Sequence, residues 1–162
     1  MEDLFPYFHT AAAVLAGTWF GCLVFTTFVV SPALKGLEWP ESTRVLVRSR
    51  IGRQFRRLAN PLLVLLAAAI VLAGVSSRPS GWSLARFVAQ LILLVLLGLL
   101  AAAHGFFLGT RLQRLAAAER SEVGSEVVEA RAARHRLQRL SFAVSMADLV
   151  VSLLLAILAA IA

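Results

Sequence analysis

Four long stretches of this chain contain almost no charged residues, and this feature constrains the fold more than any other. Each is long enough for a helix that crosses about 30 Å of hydrocarbon, which takes about 20 apolar residues. The composition agrees, because 59% of the residues are hydrophobic and the mean hydropathy is +0.81. We therefore predict an all-α integral membrane protein with a four-helix bundle. The stretches are residues 4–34, 58–77, 87–110 and 140–162.

The bundle is predicted to be a single four-span domain that carries helical extensions on one side of the membrane. Pro40 suits a helix start in the first long connection, and Pro61 allows a kink where that connection enters span two. In the second connection Gly124 is a break and Ser125 a candidate N-cap. The spans are placed at residues 8–34, 58–77, 86–110 and 140–161, with the connections at 35–57 and 111–139.

The distribution of basic residues predicts the orientation. Each of the two long connections holds seven lysines and arginines, so that only Arg78 and Arg86 of the 16 basic residues lie elsewhere. Cytoplasmic loops of membrane proteins are enriched in such residues. We therefore expect both connections in the cytoplasm and the N- and C-termini outside, in a bacterial cytoplasmic membrane.

The same basic residues predict the partner of the inner surface. Arg50, Arg53 and Arg57 fall together on one face of the first connection. Each basic residue near a membrane contributes about 1 kcal/mol of attraction to anionic lipid. Nucleic acid is not expected, because the arginines are not interleaved with the aromatic residues that a base-stacking platform would require. Membrane lipids of the anionic inner leaflet are the predicted partner.

Small residues recur every four positions on two of the spans and predict how the helices pack. The row on span one is Ala13, Gly17 and Gly21, and a row with nearly the same spacing on span three is Gly98, Ala102, Gly105 and Gly109. Rows of this kind allow helix backbones to approach closely. We predict that they pack the bundle within one chain, in preference to a dimer motif. A second copy of the chain or another membrane protein remains a candidate partner.

A polar layer is predicted inside the apolar bundle. Asp148 shares a helical stripe with Ser145, and counting from the basic edges places His104 and Thr27 at nearly the same depth. Ionisable residues within membrane spans are candidates for function. We expect His104 and Asp148 to form a hydrogen bond and to titrate as a coupled pair. In the alternative interpretation, neighbouring serines satisfy Asp148 and the carboxylate only holds the bundle together.

Motifs for soluble-type catalysis or metal binding are missing from the sequence. The three histidines do not share a helix face at ligand spacing, and soft ligands are limited to two methionines and one cysteine. No P-loop, nucleophile elbow or pair of catalytic carboxylates is present. We expect a protein without a catalytic site, metal or cofactor.

The first 75 residues contain a pattern of known type. It comprises His9 at the start of span one, the stretch "TWFGCLVFTTFVVSP", and "RSRIGRQFRRL" leading into span two. In these features the chain resembles the small four-span membrane proteins of the TMEM-type uncharacterised family. That family is related to the copper-resistance protein D domain and more distantly to membrane protoporphyrinogen-oxidase-type proteins. The resemblance implies a four-span fold in a wider group associated with copper handling or haem binding.

Two functions from different classes are left open. The favoured one is a non-enzymatic membrane protein, either a transport-associated component for a small solute, ion or proton, or a membrane-assembly component. The alternative is a haem-linked membrane oxidoreductase resembling the protoporphyrinogen-oxidase-type group, with His9 as a possible haem ligand. The chain departs from that group, since it lacks a second histidine level with His9.

Overall fold

The computed structural model describes residues 4–39, 41–76, 83–103, 111 and 125–161, and within these residues it contains helices and no strand. Four of the helices are long and apolar enough to cross a membrane. The predicted all-α membrane bundle is therefore confirmed. The elements are α1 (Phe5–Phe25), a π-helical turn (Thr26–Val30), α2 (Ser31–Gly36), α3 (Glu41–Val75), α4 (Leu84–Ala102) and α5 (Ser125–Ala160).

The observed spans differ from the predicted ones mainly at the basic connections. Helix α3 is continuous through Pro61, so the first connection is a helical extension of span two. Helix α5 likewise begins at Ser125 and runs into span four without a break. The end of predicted span three, residues 104–110, lies outside the described residues, as does the first half of the second connection apart from Arg111. The spans run Phe5–Gly36, Leu46–Val75, Leu84–Ala102 and Arg136–Ala160.

A widened π-helical turn near the end of the first span has a local cause in the sequence. The ring of Pro32 would clash with the carbonyl group of Phe28, and proline has no N–H to bond with it. The chain adopts a π turn just before the proline, in which the N–H of Ser31 bonds to the carbonyl of Thr26. The Thr26 hydroxyl donates to the carbonyls of Cys22 and Leu23, at 2.9 and 3.0 Å. These bonds keep polar backbone groups satisfied inside the membrane.

Helix α1 packs against both α3 and α5, and α4 packs mainly against α5. The starts of α1 and α4 lie with the ends of α3 and α5 at one end of the bundle, which we call the Phe5 end. The opposite end is called the Gly36 end. All four long helices contribute to one core cluster. Its members are Ala12, Ala16 and Trp19 from α1, Ala59, Leu66, Ala69 and Ile70 from α3, Leu97 from α4, and Val151, Leu155 and Ala159 from α5.

The predicted glycine rows do not mediate this packing. Gly17 and Gly21 are exposed, and a Cβ atom added at either, or at Gly98, would meet nothing within 4 Å. Ala12 and Ala16, one position earlier in the same repeat, face the core instead. A shift of one residue turns a helix by about 100°, and this turn separates the two rows. Gly105 lies outside the described residues.

Close packing at a glycine occurs instead at the Phe5 end. Gly74, near the end of α3, lies directly under the ring of Phe87 in the first turn of α4. A side chain at position 74 would occupy the space of that ring. The contact brings α3 and α4 together where the chain passes between them.

Candidate functional site

Asp148 is buried in the middle of the fourth span, Arg136–Ala160, within α5. Its side chain is 7% exposed, and it shares the inward face of the helix with Val151, Ser152 and Leu155, which are also buried. The spacing of three, one and three residues is that of a single helix face. The carboxyl group therefore lies inside the bundle and not on the lipid-facing surface.

The neighbouring serines do not bond to this carboxylate. The hydroxyl of Ser152 donates to the backbone carbonyl of Asp148 at 2.6 Å, and that of Ser145 donates to the carbonyl of Ser141 at 3.0 Å. A hydroxyl has one hydrogen, so neither serine has a donor left for the side chain of Asp148. The Oδ1 atom of Asp148 is fully buried and has no hydrogen-bond partner among the described residues. These serines therefore do not satisfy the carboxylate in the way that the alternative interpretation expects.

A second unpaired polar atom lies in the same core. Trp19 is 3% exposed, and its indole Nε1 has no hydrogen-bond partner within the described part of the chain. Counted at about 1.5 Å per residue, Trp19 lies about 21 Å from Phe5 and Asp148 about 18 Å from Ala160. Because α1 and α5 are packed and antiparallel, the two residues lie at nearly the same level. An unused donor and an unused acceptor thus lie at nearly the same level of the bundle.

Ser145 lies one turn from Asp148 on the same helix, but the members of the predicted polar layer on other spans are not at this level or lie outside the described residues. Thr27 is half-buried in the π turn, about 33 Å from Phe5 by the same count. Thr27 is therefore nearer to the Gly36 end than Asp148 is. The predicted common depth is wrong because α5 continues as a helix beyond its basic residues, so these residues do not mark a common membrane edge. His104 lies outside the described residues. Its predicted hydrogen bond to Asp148 stays a prediction.

A polar contact that the sequence did not predict joins α4 to the end of α5. Gln90 is 7% exposed, and its side-chain amide donates to the carbonyl of Leu158 at 2.9 Å. One turn earlier, the guanidinium of Arg86 donates to the carbonyl of Ile161 at 3.1 Å. The sequence signal for this contact is that Arg86 and Gln90, the two polar residues involved, are four positions apart at the start of an otherwise apolar span.

Among the described residues, the candidate haem ligand is not brought together with other ligands. His9 is half-buried near the Phe5 end, where its ring stacks on that of Phe5 with centroids 5.6 Å apart. Across the described ranges no group of three or more His, Cys, Asp or Glu side chains could hold a metal ion. The haem-linked alternative therefore gains no support from contacts of His9.

The arginines expected to face lipid are all exposed. Arg50, Arg53 and Arg57 lie on α3 towards the Gly36 end, with their side chains outside the core. Arg53 donates to the hydroxyl of Ser49 at 2.6 Å. The exposure leaves the surface open to lipid headgroups.

Comparison with known proteins gives a family match. The sequence matches the model of a domain of unknown function, DUF4149, over residues 14–121. That region includes Trp19, Arg50 and Gln90, whereas Asp148 lies beyond it. No curated protein and no solved structure matches the chain. The expectation of an uncharacterised family is confirmed, but the comparisons give no support for a relationship to copper-resistance protein D or to protoporphyrinogen oxidase.

Proposed function

The chain belongs to the DUF4149 family, and we propose that it is a small non-enzymatic membrane protein that takes part in the transport of a proton or small cation. The observation that carries the proposal is the buried, unpaired Oδ1 atom of Asp148 in the core of an apolar bundle. A membrane-assembly component is the other role left open by the sequence, and the experiment below distinguishes the two.

The proposal rests on what a carboxyl group needs in this environment. Charged side chains inside a bilayer cost several kcal/mol unless they find a partner, and they commonly mark ion or proton pathways. The partner can be a proton, a cation, a hydrogen-bond donor or a bound water. Neither nearby serine provides a donor, since both are bonded to backbone carbonyls of α5. Asp148 is therefore suited to bind a mobile partner.

Trp19 supports a polar site rather than an isolated acid. Its buried N–H needs an acceptor as Asp148 needs a donor, and each unsatisfied buried group costs about 1–3 kcal/mol. A buried water makes about three hydrogen bonds to groups of this kind. Water between the indole and the carboxyl group would satisfy both and would give a proton or cation a hydrated position halfway across the bundle.

The orientation proposed for this activity follows from the charge distribution. The Gly36 end, where the basic extensions of α3 and α5 emerge, faces the cytoplasm, and both termini lie outside a bacterial cytoplasmic membrane. Arg86, at the Phe5 end, is used in a hydrogen bond to the end of α5. A second copy or another membrane protein would cover part of the exposed helix surface.

The test measures ion movement by purified full-length protein in liposomes. Internal pH is followed with a trapped dye after a pH step, and cation uptake is followed in parallel. We expect flux above that of empty liposomes, and its loss in Asp148→Asn. Glu38→Gln is the matched control, because Glu38 is an exposed acid outside the long helices.

The possible results separate the two roles. Flux that is equal in the unmodified protein and in Asp148→Asn would overturn the proposed role of the carboxyl group. A protein that moves neither protons nor cations, but is recovered with a fixed membrane-protein partner, would be an assembly component.

A further inference from the structure

A groove between the first span and α3 opens near the Gly36 end of the bundle. It has a volume of about 390 Å³, within the range of small-molecule sites. From α1 and the π turn it is lined by Cys22, Phe25, Thr26 and Val30. From α3 it is lined by Arg50, Ile51, Gln54, Phe55 and Leu58.

The surface of the groove is almost entirely apolar, and one of its two ends lies beside Arg50. Cys22 and Leu58 form one end, about 25 Å from the Phe5 end of their helices, and Val30 and Arg50 form the other, about 37 Å from it. The hydrocarbon of a bilayer is about 30 Å thick. The apolar end therefore lies in the acyl-chain region, and the end with Arg50 lies at the level of the headgroups.

The walls are suited to an acyl chain. Phe25 is 57% exposed and Leu58 is 76% exposed, so large apolar side chains are left uncovered by the rest of the protein. Among the described lining residues, Thr26 alone has a hydroxyl, and that hydroxyl is used in bonds to the backbone carbonyls of α1. The π turn thus contributes an apolar wall despite its threonine.

The charge at the rim is suited to a phosphate. Arg50 lines the groove, and its exposed guanidinium makes no hydrogen bond or ion pair within the part of the chain that the structure describes. Arg53, by contrast, donates to Ser49. Arginine binds phosphate oxygens with two parallel hydrogen bonds, which requires that its N–H groups be unoccupied.

We propose that this groove is a binding site for an anionic phospholipid of the leaflet at the Gly36 end. One acyl chain lies between the end of α1 and α3, and the phosphate group of the lipid binds Arg50. The site is separate from Asp148 and does not depend on the proposed transport function. It goes beyond general attraction to an anionic surface, because it requires both the chain and the phosphate.

The native cysteine provides a direct assay. Cys22 is the single cysteine of the chain, lines the groove and is partly exposed. Full-length protein is delipidated in detergent, and the rate of Cys22 alkylation by a maleimide is measured as lipid is added. We expect phosphatidylglycerol to slow the reaction in a saturable manner and phosphatidylcholine to have a much weaker effect.

Two pairs of variants test the two halves of the site. Arg50→Gln should weaken the protection by phosphatidylglycerol about fivefold, whereas Arg48→Gln, on the same helix but outside the groove, should leave it unchanged. Leu58→Trp should fill the apolar end and abolish protection, and Leu65→Trp, at another exposed position of α3, should not.

Three results would overturn the proposal. Equal protection by phosphatidylcholine would show that the charge is not recognised. Equal losses in Arg50→Gln and Arg48→Gln would reduce the effect to general surface charge. Protection by glycerol phosphate alone, at the concentration at which phosphatidylglycerol acts, would show that the acyl chain is not bound. Circular dichroism and elution volume of each variant verify that the bundle is intact.

Discussion

The side-chain amide of Gln90, one turn into α4, donates a 2.9 Å hydrogen bond to the backbone carbonyl of Leu158 in the last turn of α5. The last four carbonyl groups of a helix have no partner within the helix, and lipid cannot provide one. Here Gln90 satisfies one of them and Arg86 satisfies another just beyond the helix end, at Ile161. The start of one span therefore caps the end of its neighbour.

Replacing Gln90 should destabilise the bundle. In Gln90→Leu the carbonyl of Leu158 loses its hydrogen-bond donor, although the carbonyl stays inside the protein. Leaving a buried acceptor unsatisfied costs about 1–3 kcal/mol. The free energy of unfolding, measured by denaturant titration in mixed detergent, should fall by that amount. Gln54→Leu is the control, because Gln54 is exposed on α3. Equal stability of the two variants would contradict the role of this hydrogen bond.

The contact between Gly74 and Phe87 predicts that substitution by alanine has opposite effects on stability at Gly74 and at Gly98. Gly74→Ala places a methyl group where the ring of Phe87 lies, and such overpacking costs about 1–3 kcal/mol. Gly98→Ala meets no neighbour and should instead stabilise α4 by up to about 1 kcal/mol. Both changes are measured as shifts in the free energy of unfolding.

A double-mutant cycle verifies the cause at Gly74. In a Phe87→Ala background the added methyl group has room, so Gly74→Ala should lose most of its cost. If the cost is unchanged without the ring, the destabilisation arises from something other than this contact.

The sequence predicted the parts of this fold that depend on composition over many residues. The stretches with almost no charged residues predicted four spans, because a run of about 20 apolar residues is typical of a helix that crosses a membrane. The sequence was a poorer guide to how each helix is rotated about its own axis. The predicted row of Gly17 and Gly21 is exposed, whereas Ala12 and Ala16 are buried, because a single step along the helix decides which row faces the core.

Features of the candidate site that depend on pairs of helices were also out of reach. Nothing in the sequence around Trp19 indicates that its N–H lies at the level of Asp148, because that depends on how α1 and α5 are aligned. The level of Thr27 was misjudged for a related reason. The prediction takes the basic residues to mark a common membrane edge, but α5 continues as a helix past its arginines.

The orientation can be tested by cysteine labelling in a Cys22→Ser background. Ser83→Cys introduces a thiol at the Phe5 end, and Leu37→Cys introduces one at the Gly36 end, at positions that are both exposed. A membrane-impermeant maleimide added to intact cells should label the first variant and not the second. The reverse pattern would place both termini in the cytoplasm.

The polar site predicts energetic coupling between Trp19 and Asp148. If one water or cation binds both side chains, removing either disturbs the partner of the other, so the effects of Trp19→Phe and Asp148→Asn should not add. A coupling of at least about 0.5 kcal/mol in the free energy of unfolding is expected, as for residues that share a hydrogen-bond network. Trp39→Phe is the matched control, because Trp39 is 41% exposed beyond the end of the first span and should combine additively with Asp148→Asn. Additive effects at Trp19 as well would mean that the indole and the carboxyl group are satisfied independently. The site would then reduce to Asp148 alone.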